Sequence, residues 1–188
     1  MSRQTIKNEK KNQGAKEIKG KNNQLVIDSN GYRLNIGIIL TNDQGKIFWG
    51  KRVGSANAWQ FPQGGMLPYE TLEETMYREL MEEVGLDRSD VQILGITRKW
   101  LSYRLPTYMR RVTQLPLCIG QKQKWFFLRL ISSEDNIGLN KGSHPEFAEY
   151  RWVDYWYPVE NVIFFKRHIY QTVLKEFEYL DNNKKNNE

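Results

Sequence analysis

The apolar residues of this chain fall into short runs that are typical of β-strands. The segment YRLNIGIIL, which begins at Tyr32, alternates polar and apolar residues and then becomes wholly apolar, as a central strand does. Residues 42–45 (NDQG) favour a turn, and the segment KIFWGKR that ends at Arg52 predicts the returning strand of a hairpin. Three further strands are predicted, beginning at Val91 (VQILGITRKW), Gln121 (QKQKWFFLRLI) and Arg151 (RWV).

Two segments show apolar residues at helical intervals. The first predicted helix covers residues 71–84, and the second covers residues 162–180. In the second, the recurring apolar residues are Val162, Phe165, Ile169, Val173 and Phe177. Strands that surround two helices predict an α/β fold, in which a mixed β-sheet is sandwiched between α-helices.

The two ends of the chain differ in composition from its middle. Residues 1–24 contain no aromatic residue and almost no large aliphatic one, which predicts a disordered basic tail. Residues 181–188 form a second polar tail, so residues 25–180 are expected to hold one domain. The net charge of +6 favours polyanionic partners, although the lysines at the two ends account for much of it.

Cysteine and histidine are scarce in this chain. Its one cysteine, Cys118, forms no internal disulfide, which makes the reducing cytoplasm the expected location. With two histidines a zinc site is not expected, so a catalytic metal would need oxygen ligands and would be Mg²⁺ or Mn²⁺. No segment approaches the roughly 20 apolar residues of a membrane-spanning helix, and the start lacks the apolar run of a secretory signal. We therefore expect no membrane partner.

The first predicted helix carries a cluster of acidic residues. Glu79, Glu82 and Glu83 stand at i, i+3 and i+4, so a helix places all three on one side. Like charges this close repel one another, and a divalent cation would turn the repulsion into coordination. The alternative is an ordinary solvated acidic face. An apolar stripe lies beside the cluster and is formed by Met76, Leu80 and Val84.

The residues around this cluster form a larger pattern. Gly85 suits the position that ends the helix, and Gly64 and Gly65 precede the helix in a loop where side chains would block the approach of a phosphate. Arg78 is placed to tether Glu70 of that loop. The array matches G-x5-E-x7-R-E-U-x-E-E-x-G-U, where U is aliphatic, at every position. The chain therefore resembles the Nudix hydrolases, whose box this is.

Segments outside the box narrow the resemblance. The blocks WQFPQGG from Trp59, GQKQKWF from Gly120, PEF from Pro145 and YWYP from Tyr155 resemble the bacterial RNA pyrophosphohydrolases, which are also described as dinucleoside polyphosphate hydrolases. The similarity runs from about residue 27 to about residue 177. The lysine-rich N-terminal extension departs from that family pattern.

The resemblance implies a metal-dependent hydrolysis. Glu79, Glu82 and Glu83 would bind the divalent cation, and Glu146 would reach it from outside the box. The cation would neutralise pyrophosphate charge and activate a water for attack on phosphorus. Glu79 is expected to take the proton, with Glu83 as the rival. For Glu146 the alternative is an ordinary surface glutamate.

The same resemblance implies how substrate is held. Arg52 and Lys166 match positions that hold phosphates, and Arg33 with Phe165 matches a pair that sandwiches a base near the RNA 5′ end. Alternatively, Phe165 belongs to the buried face of the last helix and Arg33 is a surface cation. Gln121 begins a strand near the expected pocket and either lines it or faces water.

Three functions follow as hypotheses. The first is an RNA 5′ pyrophosphohydrolase that leaves a 5′-monophosphate and so exposes messenger RNA to decay. The second is a hydrolase of dinucleoside polyphosphates such as Ap4A or Ap5A. The third is a non-catalytic Nudix-fold module that binds RNA, which ranks last because every box glutamate is present. The sequence identifies no protein partner.

Overall fold

The computed structural model describes residues 26–55, 57–110, 116–140 and 144–185, with residues 181–185 described by their backbone alone. The predicted N-terminal tail, residues 1–24, lies outside the described residues, as do residues 186–188 of the predicted C-terminal tail.

The strands of the described ranges form one mixed sheet. They are β1 (Tyr32–Thr41), β2 (Ile47–Arg52), β3 (Trp59–Gln60), β4 (Gln63–Gly65), β5 (Val91–Ile96), β6 (Leu101–Arg104), β7 (Gly120–Leu130) and β8 (Phe147–Val153). The central path runs β3-β2-β1-β7-β5, while β4 pairs with β1, β6 with β7 and β8 with β2. Strands β1 and β7 are parallel, and the other pairs are antiparallel.

Helices cover both faces of this sheet. They are α1 (Leu72–Val84), α2 (Tyr157–Asn161) and α3 (Arg167–Lys185). Successive residues of a strand point to opposite faces, so Phe126 joins the core under α1 and Phe127 joins the core under α3. The predicted sandwich of a mixed sheet between helices is therefore confirmed. None of the helices described is long and apolar enough to cross a membrane.

Local signals explain where α1 begins and ends. Thr71 is its N-cap: the Thr71 hydroxyl accepts a hydrogen bond from the Glu74 amide (3.2 Å), and the Glu74 carboxylate accepts one from the Thr71 amide (2.8 Å). Gly85 ends the helix in the left-handed conformation (φ 75°), as its position in the sequence predicted. Its amide donates to the carbonyls of Leu80 and Met81.

The second predicted helix begins later than its apolar spacing indicated. Helix α2 ends at Asn161, Val162 is extended, residues 164–166 form a single 3₁₀ turn, and α3 starts at Arg167. Val162 and Phe165 still pack against the core under α3, so a non-helical segment satisfies the same spacing. At its other end α3 continues to Lys185, beyond the predicted end at residue 180.

Other boundaries also differ from the prediction, and the strand expected from Arg151 already begins at Phe147. The strand from Val91 ends at Ile96, and an irregular segment over residues 97–100 follows it. The ammonium of Lys124 donates to two carbonyls of that segment, those of Thr97 (2.6 Å) and Arg98 (3.0 Å). Residues 64 and 65, expected in a loop, belong to the short strand β4 and pair with β1.

Replacing Thr71 with alanine should lower the free energy of unfolding by about 1 kcal/mol, because the first turn of α1 loses its side-chain cap. Urea unfolding of the purified variant measures this change. Thr71→Ser is the matched control, because it keeps the hydroxyl and should stay close to the wild type. Equal losses in both variants would contradict the capping role.

Candidate active site

A cleft of about 490 Å³ opens where β1, β4 and α1 meet. Most of the predicted site residues line it, namely Arg33, Arg52, Gly64, Glu79, Glu83, Gln121, Glu146, Phe165 and Lys166. A second cleft of about 620 Å³ adjoins the first and shares five lining residues with it, which are Arg52, Gln60, Met109, Phe165 and Lys166. The fold thus gathers residues that are distant in the sequence around one opening.

Two glutamates of α1 form the acidic wall of the cleft. Glu79 and Glu83 stand one helical turn apart and are only 8% and 7% exposed. The Glu83 carboxylate accepts a hydrogen bond from the backbone amide of Gln63 (3.0 Å). Burial raises the pKa of both carboxyl groups, and the charge of Glu79 raises the pKa of Glu83 further.

The paired glycines leave room for side chains of the site. A Cβ atom at Gly64 would overlap the carboxylate of Glu79, and one at Gly65 would overlap the guanidinium of Arg33. The sequence suggested that these glycines admit a phosphate. In the structure the space beside them is filled by a carboxylate and a guanidinium of the protein itself.

Arg78 ties the loop before α1 to the helix. Its Nε and Nη2 atoms donate to the two carboxylate oxygens of Glu70 (2.6 and 2.8 Å), and Nη2 also donates to the Gly65 carbonyl (2.9 Å). Its Nη1 atom donates to the Glu79 carboxylate (2.6 Å). The predicted tether between Arg78 and Glu70 is confirmed, and it holds the pKa of Glu70 below its usual value.

The other two expected metal ligands are more exposed than Glu79 and Glu83, and each contacts an arginine. The Glu82 side chain is 54% exposed, lies outside the cleft lining and reaches Arg78 Nη1 at 3.4 Å. Glu146 lines the cleft and forms an ion pair with Arg52 Nε (2.7 Å). In the part of the chain that the structure describes, no group of three or more His, Cys, Asp or Glu side chains is placed to hold one metal ion.

Lys166 brings a buried positive charge to the cleft. Its ammonium donates to the side-chain oxygens of Gln60 (2.9 Å) and Gln63 (3.3 Å), and the residue is 6% exposed. Burial lowers the pKa of Lys166 to about 8. The charge of Arg52 lowers it too, while nearby carboxylates raise it.

The two residues expected to sandwich a base both line the cleft. The ring of Phe165 packs against the ring of Tyr103, with 5.8 Å between centroids and 32° between planes. Phe165 also contacts the core under α3, so the alternative role in core packing applies to part of its surface. The guanidinium of Arg33 lies beside Gly65.

Successive side chains at the start of β7 point in opposite directions, so Gln121 and Lys122 have different surroundings. Gln121 lines the cleft, and its side-chain oxygen accepts a hydrogen bond from the Tyr103 hydroxyl (2.7 Å). Lys122 instead forms an ion pair with Asp28 (3.4 Å). Of the two alternatives left open for Gln121, lining the pocket or facing water, the structure shows the first.

Several lining residues were not found by the sequence analysis. They are Asn35, Gln60, Gln63, Tyr103, Leu105 and Met109. Two of them stand in the segment WQFPQGG, where glutamines flank an otherwise apolar stretch, and this was a usable signal. Tyr103 carried none, because it reaches the cleft through the pairing of β6 with β7, which sets Tyr103 opposite Gln121.

The chemistry of the donors fits a hard divalent cation. Glu79, Glu83 and Glu146 offer carboxylate oxygens at one cleft, and beyond the effect of burial the charges of Glu79 and Glu146 both raise the pKa of Glu83. Such mutual repulsion among carboxylates, of which Glu79 and Glu83 are buried, is relieved when a cation binds among them. Arginines hold Glu79 and Glu146 in this structure.

A comparison with known families explains the pattern of glycine, glutamate and arginine residues in and before α1. The model of the NUDIX domain matches residues 31–176. The chain belongs to the Nudix family. The family generally depends on a divalent metal, and the resemblance drawn from the box residues is confirmed.

Curated relatives cover most of the chain. A protein of Pseudomonas savastanoi pv. phaseolicola is 57% identical over 151 residues, which are 80% of this chain and 94% of that protein. One of Legionella pneumophila (strain Corby) is 57% identical over 83% of this chain and 89% of its own length. One of Coxiella burnetii is 56% identical over 82% of this chain and 68% of its own length. All three are named RNA pyrophosphohydrolase.

Solved structures agree on the fold. The Escherichia coli dihydroneopterin triphosphate pyrophosphohydrolase superposes with a TM-score of 0.61 at 18% identity, over 76% of this chain and 95% of that one. An Ap4A hydrolase of Caenorhabditis elegans in a binary complex gives a TM-score of 0.58 at 14% identity, over 78% and 95%. At such low identity these likenesses establish the Nudix fold and no more.

The buried lysine makes stability depend on pH in the alkaline range. The folded pKa of Lys166 is about 8, against 10.5 ordinarily. Between these values the unfolded chain binds more protons than the folded one, so stability should rise by up to ~1.4 kcal/mol per pH unit from this group. Below pH 8 both states are protonated and this contribution is constant.

Lys166→Met should lack that rise. Unfolding free energies of the wild type and the variant at pH 7, 8, 9 and 10 measure the effect, because the contributions of groups that do not interact with Lys166 cancel in the difference between the two proteins. A difference between the two proteins that does not change with pH would contradict the lowered pKa.

Proposed function

We propose that this chain is an RNA 5′ pyrophosphohydrolase. It hydrolyses the 5′-triphosphate or 5′-diphosphate end of RNA, releases pyrophosphate or orthophosphate, and leaves a 5′-monophosphate that exposes the transcript to decay. The observation that carries the proposal is one cleft in which the buried carboxylates of the Nudix helix meet a buried lysine and an aromatic ring. Relatives named RNA pyrophosphohydrolase that are 57% identical support it.

Each side chain has a part in this proposal. Glu79, Glu82, Glu83 and Glu146 would hold Mg²⁺ or Mn²⁺, which neutralises phosphate charge and makes water a better nucleophile. Glu79 accepts the proton of the attacking water, with Glu83 as the alternative. The burial of both carboxyl groups favours proton uptake. Lys166 and Arg52 bind phosphate oxygens.

Since transcripts are the proposed substrate, we place the protein in the cytoplasm.

The stacking residues belong to the recognition of the nucleoside. Phe165 and Arg33 line the same cleft as the phosphate-binding side chains of Arg52 and Lys166. A base next to the polyphosphate would therefore meet a ring and a guanidinium there. Stacking accepts any base because every base has a π-face, and it is worth about 1–3 kcal/mol per base. This suits an enzyme that acts on many transcripts.

A dinucleoside polyphosphate such as Ap4A is the second candidate substrate. The adjoining cleft favours it, because that cleft continues past Phe165 and leaves room for a second nucleoside. A non-catalytic RNA-binding module ranks last, since all the box glutamates are present.

Turnover of 5′-triphosphate RNA and of Ap4A, both with Mg²⁺, tests the proposal. RNA should be the better substrate by kcat/KM, and chelation should abolish both reactions. Glu79→Gln should remove turnover of both while the protein keeps its fold, and Glu82→Gln is expected to do the same. Glu73→Gln is the control, because Glu73 is an exposed residue of the same helix outside the cleft. Turnover at the wild-type rate in Glu79→Gln would overturn the catalytic assignment.

Phe165→Ala should lower kcat/KM on triphosphorylated RNA more than on Ap4A, by about tenfold on RNA, because a stacking surface for the RNA base is lost. Tyr179 of α3 is 55% exposed and lines neither cleft, which makes Tyr179→Ala the control for loss of an aromatic ring. Equal losses on both substrates in Phe165→Ala would count against base stacking.

A further inference from the structure

The ammonium of Lys166 is hydrogen-bonded to neutral side chains, although the charges of Glu83 and Glu146 also act on it. Its ammonium lies inside the protein and donates to the amide oxygens of Gln60 and Gln63 at 2.9 and 3.3 Å. Among the described residues, no carboxylate forms an ion pair with it. Buried charges are usually paired with an opposite charge, so this environment is unusual for a lysine.

A set of buried amides continues from these two glutamines. The Nε2 atom of Gln123 lies within hydrogen-bond distance of the side-chain oxygens of Asn35 (3.3 Å), Gln63 (3.3 Å) and Gln121 (3.2 Å), and its two N–H groups are shared among these three acceptors. Gln123 and Asn35 are each 1% exposed, so bulk water does not replace these contacts. We call the five residues Asn35, Gln60, Gln63, Gln121 and Gln123 the amide floor of the cleft.

The amide floor orients the oxygen that faces the lysine. Gln63 Oε1 lies within hydrogen-bond distance of both Gln123 Nε2 and Lys166 Nζ. An amide has one oxygen and one NH₂ group, so a donor on each side requires the oxygen between them. Gln123 therefore keeps the acceptor side of Gln63 turned to the ammonium.

Glutamine and glutamate have the same size, but they act differently beside an ammonium. A glutamate at either position would neutralise Lys166 and compete with any incoming anion. A glutamine fixes the ammonium through its oxygen and leaves the positive charge available. The residue type at these positions thus bears directly on how strongly the cleft attracts phosphate.

We propose that Gln60 and Gln63 are positioning residues that fix the Lys166 ammonium without neutralising its charge. Gln123 orients Gln63 for this role. The pair thereby sets the affinity of the cleft for a phosphate group. The inference rests on the proposed function, in which that phosphate belongs to the substrate's polyphosphate.

The test uses inorganic pyrophosphate as the probe, with Mg²⁺ present, and calorimetry to measure its affinity. Gln60→Glu should weaken binding by about tenfold or more, because a charge pair replaces a hydrogen bond to a neutral group. Its melting temperature should stay equal to or above that of the wild type, because the lysine gains a partner. Gln60→Met removes the acceptor but adds no charge, so it should weaken binding less than Gln60→Glu.

Two comparisons separate this role from other effects. Gln92→Glu makes the same substitution at an exposed residue of β5 and should leave binding unchanged. In the background of Lys166→Met, the Gln60→Glu change should lose most of its effect on affinity, because the effect acts through the lysine. On RNA, kcat/KM should fall in the same order as pyrophosphate affinity.

The outcomes that overturn the proposal are distinct from those that overturn the proposed function. Unchanged affinity in Gln60→Glu, an equal or larger loss in Gln60→Met, or a full effect without Lys166 each contradict it. So does a Gln60→Glu protein that fails to melt cooperatively, because the fold should tolerate the new ion pair. Absence of RNA hydrolysis by the wild type would refute the proposed function, whereas pyrophosphate binding would still test this inference.

Discussion

The close approach of helix α1 to strand β4 is the constraint on which the site depends. Gly64 has no side chain, so the carboxylate of Glu79 occupies the space against the strand. That placement lets Arg78 reach the Gly65 carbonyl and the Glu70 carboxylate at the same time. The apolar stripe of α1 packs into the core on the same side of the sheet. Core packing and the position of the acidic wall are therefore one arrangement, and a larger residue at position 64 would disturb both.

The cleft contains buried groups of both charge signs. Burial raises the pKa of Glu79 and Glu83 and lowers the pKa of Lys166 to about 8, so none of these side chains is in the environment that its charge prefers. Buried charge costs stability unless it is paired. Among the described residues, Glu83 and Lys166 form no ion pair, whereas Glu79 is paired with Arg78. Under the proposed function, a polyphosphate accompanied by divalent cations would bring a cation to the carboxylates and an anion to the lysine. Under the same proposal, the energetic cost of burying these charges in the free protein would be recovered when that class of ligand binds.

The cleft contains both charged side chains and an aromatic ring, and this bears on the range of substrates. In the proposed function, charged groups recognise the polyphosphate, which RNA 5′ ends and dinucleoside polyphosphates share. The ring of Phe165 lines both clefts, and in that proposal it meets the nucleoside part, where these substrates differ. Solved structures of the same fold are named for a dihydroneopterin triphosphate pyrophosphohydrolase and an Ap4A hydrolase. At 14–18% identity these structures share the fold with this chain, and a fold by itself does not specify a substrate.

The sequence by itself determined what depends on local spacing. The helical positions of Glu79 and Glu83, the stop at Gly85 and the reach of Arg78 follow from the geometry of one helix and its preceding loop. Apolar spacing also predicted the sheet and its covering helices, although the same spacing was satisfied by a non-helical stretch before Arg167.

Only the tertiary structure decided which distant residues share the cleft. The pairing of β6 with β7 brings Tyr103 to Gln121, and packing of the segment before α3 buries Lys166 on Gln60 and Gln63. It also left Glu82 exposed while its neighbour Glu83 was buried. Burial and strand register are properties of the whole chain, because they depend on contacts between residues dozens of positions apart, and no local pattern in the sequence encodes them.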